Sequence, residues 1–332
     1  MAAERRHRAT PRIHASPQGL ACCSGRRSGP DARLGPDLAR PITLLVGSAA
    51  GGGTDEYART LAEALGKRLG QPVVVENASG ASGALAAQKT ARSAPDGYTL
   101  LIANSDLVLA PLVHKSAGYT SKDLTPIALF GSSQLVLLAH PSVAANDVDQ
   151  LVALTKAKPN SISLGLAGVA SLPAVATSVL VKASGMDVLP VPYKGAAPAM
   201  TDLLAGQVQL AVTALVNGLP HIRSGKLKAL GILSSQRSPL LPGVSAMAES
   251  RTAKGVSMDI WVGLVGPAGM PPGTVATLNR HLQDILKDPG FRADREAKGT
   301  TMAALGTPEE FGRFLAAEEA RFRVIVPGMK LE

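Results

Sequence analysis

Aromatic side chains are scarce. Phe, Tyr and Trp make up 3% of the 332 residues, and Trp261 is the single tryptophan. A stacking platform for bases or sugars needs several rings, so that mode of recognition is disfavoured. Cysteine is nearly absent as well: Cys22 and Cys23 are the only two. Adjacent cysteines bridge each other only with strain, and no histidine stands at metal-ligand spacing from them. No run approaches the roughly 20 apolar residues of a membrane-spanning helix. The histidines at positions 7, 14, 114, 140, 221 and 281 are scattered, with neither H-E-x-x-H nor G-x-S-x-G around them. Carboxylates are sparse and do not pair in apolar surroundings, which leaves no tuned acid–base couple. The expectation is a chain without catalytic residues, metal or cofactor.

What is present is a large aliphatic content. Hydrophobic residues reach 45%, enough for two α/β cores at this length. The formal charge is +9, of which +5 sits in residues 1–40: eight arginines against Glu4, Asp31 and Asp37. The remainder is mildly basic, which suits a small anion and does not imply nucleic acid. Residues 1–40 read as a disordered basic tail. They contain no apolar run of seven or more, so as written they do not form a secretory leader. No methionine lies between Met1 and Met186 to offer an internal start.

From Pro41 onward apolar runs alternate with helical periodicity. Strands are expected at 42–46, 72–76, 98–103, 135–139, 162–164, 188–191, 208–212, 228–233 and 260–265. Helices are expected at 54–69, 84–92, 148–157, 171–183, 196–205, 275–286, 290–297 and 307–324. In the first of these, Tyr57, Leu61, Leu65 and Leu69 recur every four residues. Thr307, Pro308 and Glu310 form a capping-box signature at the last. Alternation of this kind predicts a mostly parallel sheet. The chain is expected to leave a first domain (41–134 plus 257–332) for a second (135–256). Two crossings make a hinge, and a hinge between α/β lobes makes an interdomain cleft.

The sharpest local signal is Ser48-Ala49-Ala50-Gly51-Gly52-Gly53-Thr54-Asp55, between a strand and a helix. Glycines let backbone approach a ligand closely, and the next turn presents N–H groups at a positive dipole end. Such a terminus favours an anion by about 0.3–1 kcal/mol per charge. It is not a P-loop, because Gly53 stands where lysine is required. Gly80-Ala81-Ser82-Gly83, Asn104-Ser105-Asp106 and Gly165-Leu166-Ala167-Gly168-Val169-Ala170-Ser171 are small-residue loops at equivalent strand ends. Their convergence on one anion is expected, with affinity lost if Gly52 becomes bulky.

Together with Leu69-Gly70-Gln71-Pro72-Val73-Val74-Val75-Glu76-Asn77, Ala94-Pro95-Asp96-Gly97-Tyr98-Thr99-Leu100, Val191-Pro192-Tyr193-Lys194-Gly195-Ala196-Ala197-Pro198-Ala199 and Thr201-Asp202-Leu203-Leu204-Ala205-Gly206-Gln207-Val208, the glycine loop carries a family likeness. Residues 41–332 resemble the extracytoplasmic (Bug-type) receptors of tripartite tricarboxylate transporters. The resemblance implies a two-lobed type II periplasmic-binding-protein fold and a periplasmic, non-enzymatic solute receptor. It further implies a small carboxylate ligand (a di- or tricarboxylate, aromatic acid or amino acid), delivery to membrane transporter subunits, no nucleic-acid partner, and a monomer.

By motif position the resemblance implies a ligand site of Ser48, Gly51, Gly52, Gly53 and Thr54 in the first loop. Ser82, Gly83 and Ala84 follow in the second, completed by Ser105, Asp106, Ser171 and Thr213. Against the family pattern, Ser48 replaces an aromatic, Ala84 an asparagine, Ala174 a histidine and Thr213 an acidic residue. Asp106 puts a carboxylate where a small neutral residue is usual, which raises an ammonium-bearing ligand as a hypothesis. The alternative reading is an intracellular ligand sensor of the same fold, signalling through a protein partner.

Overall fold

A computed structural model describes residues 38–114, 116–168, 170–304 and 306–328. Of the expected tail only Leu38, Ala39 and Arg40 are among them; the rest lies outside the described residues. Leu38 is buried in the same apolar cluster as Ile42 and Met270. The Arg40 guanidinium lies 4.0 Å from the centre of the Tyr98 ring and 3.2 Å from Asp96.

The chain opens with β1 (Ile42–Val46), α1 (Gly53–Leu69), β2 (Val73–Asn77), α2 (Ala84–Ala91), β3 (Thr99–Asn104) and α3 (Asp106–Val113). One long strand, β4 (Leu124–Ala139), leads on to α4 (Val148–Ala157), β5 (Ser163–Ala167), α5 (Leu172–Ser184) and β6 (Leu189–Tyr193). Next come α6 (Ala196–Leu204), β7 (Leu210–Ala214), α7 (Leu215–Arg223) and β8 (Lys228–Ile232). The last part is β9 (Asp259–Pro267), α8 (Pro272–Lys287), α9 (Pro289–Ala297), β10 (Thr300–Met302) and α10 (Pro308–Ile325).

The sheet order is β2-β1-β3-β9-β4-β7-β5-β6, with β10 and β8 also paired to β4. β1 is parallel to β2 and β3, and β5 is parallel to β6 and β7. Around β4 and β9 every pairing is antiparallel. The expectation of a mostly parallel sheet is therefore corrected to a mixed one. Parallel neighbours need a helical crossover between them. The chain leaves the first half along β4 and returns along β9, so these two strands run in opposite directions.

β4 belongs to both halves. Leu124–Gln134 register against β9, while Leu135–Ala139 register against β7. Bulges near Pro126 and Leu129 let the strand bend between its partners.

Burial explains why these residues form these elements. Ile42, Leu44 and Val46 pack with Leu61, Leu65, Leu278 and Leu282, whereas Leu45 joins a separate cluster with Leu101 and Leu109. β1 is thus apolar on both faces. Each such side chain contributes about 1.5–3 kcal/mol when fully buried. In the second half Leu203, Leu215 and Leu219 pack on Val136 and Leu138. The Trp261 ring meets Phe311 edge-on, with ring centres 5.7 Å apart.

Candidate functional site

β1 ends in the glycine-rich loop and α1 begins at Gly53 with Gly52 as N-cap; no side chain caps it. The loop is shaped by Asp55, which is buried. Its carboxylate accepts from the Gly51 N–H (2.9 Å), from Arg59 Nε and Nη2 (3.0 Å each) and from Asn77 Nδ2 (2.9 Å). Asn77 Nδ2 also donates to the Ser48 carbonyl at 3.0 Å. Desolvation alone would raise the Asp55 carboxyl, but the bonds from Arg59, Gly51 and Asn77 outweigh it and hold the group below its usual value. The acid's role is structural: it curls the loop so that α1 opens toward a cavity.

The second loop packs directly on the first. A Cβ on Gly47 would stand 2.8 Å from Gly83 Cα, closer than any side chain tolerates. Ala81 (φ 46°) and Ser82 (φ 52°) adopt left-handed backbone although neither is glycine. Such conformations cost about 1–2 kcal/mol per residue and concentrate at functional sites.

Asn104 Oδ1 accepts from the Asp106 N–H at 2.9 Å, which starts α3 at the end of β3. Across the cavity Ser171 caps α5, its Oγ accepting from Ala174 N at 3.3 Å. Two hydrogen bonds span the cavity from one half to the other. Gly53 N–H donates to Asn217 Oδ1 at 3.2 Å, and Leu172 N–H donates to Asp106 Oδ1 at 2.8 Å. Burial pushes the Asp106 carboxyl up to about 7, opposed by the Leu172 N–H.

These elements enclose a cavity of about 860 Å³, within the range of small-molecule sites. Ser48, Gly51, Gly52, Gly53, Thr54, Ser82, Gly83, Asp106, Ser171 and Thr213 all line it. Ala84 and Ser105 do not. Ala84 is buried in the core behind the second loop, and Ser105 Oγ accepts from the Trp261 N–H at 3.2 Å, tying β9 to β3. The Ser48 hydroxyl is buried on the wall with no hydrogen-bond partner among the described residues. Gly52 leaves room for a Cβ, with Ala49 O 3.6 Å away; the steric constraint expected there sits at Gly53 instead.

Sequence reasoning singled out the loop of Asn104 but missed Lys194, Asn217 and His221, all on the wall. Lys194 lies in one of the motif stretches quoted above, before α6. Asn217 carries no local signal, because its importance lies in a contact 164 residues away. Among the described residues no group of three or more His, Cys, Asp or Glu could hold a metal ion. None of the described helices is long and apolar enough to cross a membrane.

Comparison with known proteins matches this geometry to a family. The Bordetella pertussis protein BugT is 37% identical over 299 residues, 89% of this chain and 91% of the relative. The solved structure of periplasmic binding protein BugD superposes with a TM-score of 0.82 at 34% identity, covering 87% of this chain and 97% of that one. MatC from Rhodopseudomonas palustris, with bound malate, gives a TM-score of 0.79 at 30% identity over 87% of this chain and 99% of that one. The fold is accordingly the two-lobed α/β fold of these binding proteins. A family model described as the tripartite tricarboxylate transporter family receptor matches residues 57–331, and the chain belongs to that family.

Proposed function

We propose that this receptor captures one small carboxylate in its cleft and presents it, as a monomer on the periplasmic side, to the membrane subunits of a tripartite transporter. The observation that carries the reading is the backbone-to-backbone packing of the first two loops at one cavity. It directs the uncapped first turn of α1 and the strained turn at Ala81–Gly83 into the same space. Ser48, Gly52, Thr54 and Ser82 receive the acid group through N–H groups and the Ser48 hydroxyl, while Gly51, Gly53 and Gly83, whose N–H groups are held by Asp55, Asn217 and the Gly80 carbonyl, shape the cradle. Asp106 meets the ligand from the same lobe as the loops, and Ser171 and Thr213 from the facing lobe, while Ala84 and Ser105 support the cradle from behind.

The lobes in this reading are residues 41–134 with 257–332, and residues 135–256. The Asn217–Gly53 and Asp106–Leu172 bonds hold them together around the ligand. Malate in MatC supports the choice of a carboxylate. Mass spectrometry of material purified without denaturation, followed by thermal-shift titration of the released compound, tests the proposal. One acidic metabolite per chain is expected. A protein that neither carries nor is stabilised by any carboxylate overturns it.

A further inference from the structure

We infer that Asp106 makes the cavity select acids that also carry an ammonium group, amino acids as a class, over unaminated acids of the same length. This rests on the receptor reading above and narrows its ligand.

α6 and α7 begin on the cavity wall without side-chain caps, and two more helix starts there, α1 and α5, lie on different lobes. The first has no cap from its own N-cap residue, and its Gly53 N–H is taken by the neutral Asn217 Oδ1 at 3.2 Å. The second already holds two oxygens: Ser171 Oγ accepts from Ala174 N, and Asp106 Oδ1 accepts from Leu172 N at 2.8 Å. The negative group that the α5 dipole favours is therefore supplied by the protein itself. A second ligand carboxylate approaching that turn would have to stand beside Asp106, and like charges at such separations repel strongly where water is excluded.

The charge on Asp106 has no cation to answer it. Its hydrogen-bonding neighbours are the Leu172 N–H and, at its own backbone, Asn104. No Lys, Arg or His forms an ion pair with it among the described residues. Tyr119, whose hydroxyl titration is also affected by Asp106, spends its O–H on the Leu107 carbonyl at 2.8 Å. Glu56 is the other carboxylate on the wall, and it is held by Arg295 (3.2 Å) and Lys298 (2.6 Å). Asp106 is partly buried on the cavity wall, and a partly desolvated carboxylate is stabilised when a positive partner reaches it. Of the basic side chains on the wall, Lys194 and His221 form no ion pair with Asp106, so the ligand brings the cation: its acid group goes to the loops at α1, its ammonium to Asp106.

Isothermal titration calorimetry at pH 8 with matched pairs tests this: glutamate against glutarate, aspartate against succinate, valine against isovalerate. The best aminated acid is expected to bind at least about tenfold tighter than its partner, as for a charge-assisted hydrogen bond. Asp106→Asn keeps an oxygen for the Leu172 N–H and removes the charge; the preference is expected to fall to within about twofold. If wild type takes glutarate or succinate as tightly as the amino acid, the selectivity is overturned and the receptor reading stands. The same holds if Asp106→Asn retains the preference. If no acid of either kind binds wild type, the receptor reading itself fails. The wild-type comparison decides the matter even if the variant does not fold.

Discussion

Gly53 shows how little space separates the two walls of the cleft. A Cβ built there would stand 2.6 Å from Asn217 Oδ1 and 3.0 Å from Val216 Cγ1, whereas one at Gly52 meets only Ala49 O at 3.6 Å. Gly53→Val is therefore expected to wedge the walls apart and weaken ligand binding by about tenfold or more, equivalent to some 1.4 kcal/mol. Gly52→Ala, with ordinary van der Waals room, is expected to change affinity by less than about threefold. Calorimetric titration of both variants with one ligand checks the contrast, and equal losses would contradict it. The glycine triplet is visible in the sequence, but which glycine bears the constraint is not. The neighbour that decides it arrives from the far side of the fold, on α7.

At the scale of elements, legibility followed local periodicity. β1 and α4 lie where apolar runs and helical spacing predict them, and the Thr307 capping box forms as expected. Glu310 N donates to Thr307 Oγ1 at 3.2 Å, and Thr307 N donates to Glu310 Oε2 at 2.8 Å. Thr307→Ala should cost about 1 kcal/mol in urea unfolding. α3 and α7 were not read as helices, because Pro111 and Pro220 sit inside them and Gly218 interrupts the apolar stripe. Only the end of β4 was read as strand. Pro126, Gly131 and the polar run Ser132-Ser133-Gln134 conceal the rest, and its pairing with β9 depends on residues more than a hundred positions on.

Asp259, where β9 begins, gives a pH signature at this same scale. Burial raises its carboxyl from 3.8 to about 6, with Arg321 lowering it and Glu318 raising it, both from α10. Its Oδ1 is buried without a partner among the described residues. A carboxyl raised in the folded state favours folding below its unfolded value, and that advantage is lost as pH climbs through the folded one. Relative to wild type, Asp259→Asn should thus gain stability between pH 4 and pH 7, on the order of 2 kcal/mol. Urea titrations of both proteins across that range measure the gain, and a constant difference would contradict it.

For the whole molecule, the Gly53–Asn217 and Asp106–Leu172 bonds join the two walls of the cleft in a single arrangement. Removing one should favour an open one: Asn217→Ala is expected to enlarge the radius of gyration of the ligand-free protein in small-angle X-ray scattering. Saturating ligand should restore the compact value. An unchanged scattering profile would mean that the lobes do not depend on this contact. The alternation of strands and helices in the sequence was sufficient to expect two α/β halves. It could not show that the middle of the sheet is antiparallel, since that arises from where the chain returns rather than from any local pattern.

The position of β9 between β3 and β4 has a consequence for synthesis. As the nascent chain leaves the ribosome, the edge of β3 and one side of β4 stay unpaired until residues 259–267 emerge, long after their own sequence has been made. Bare strand edges of that kind invite pairing with other chains. The β2–β1–β3 and β5–β6–β7 sets can each pair beforehand, leaving the junction through β9 as the late step and the one most in need of protection by chaperones.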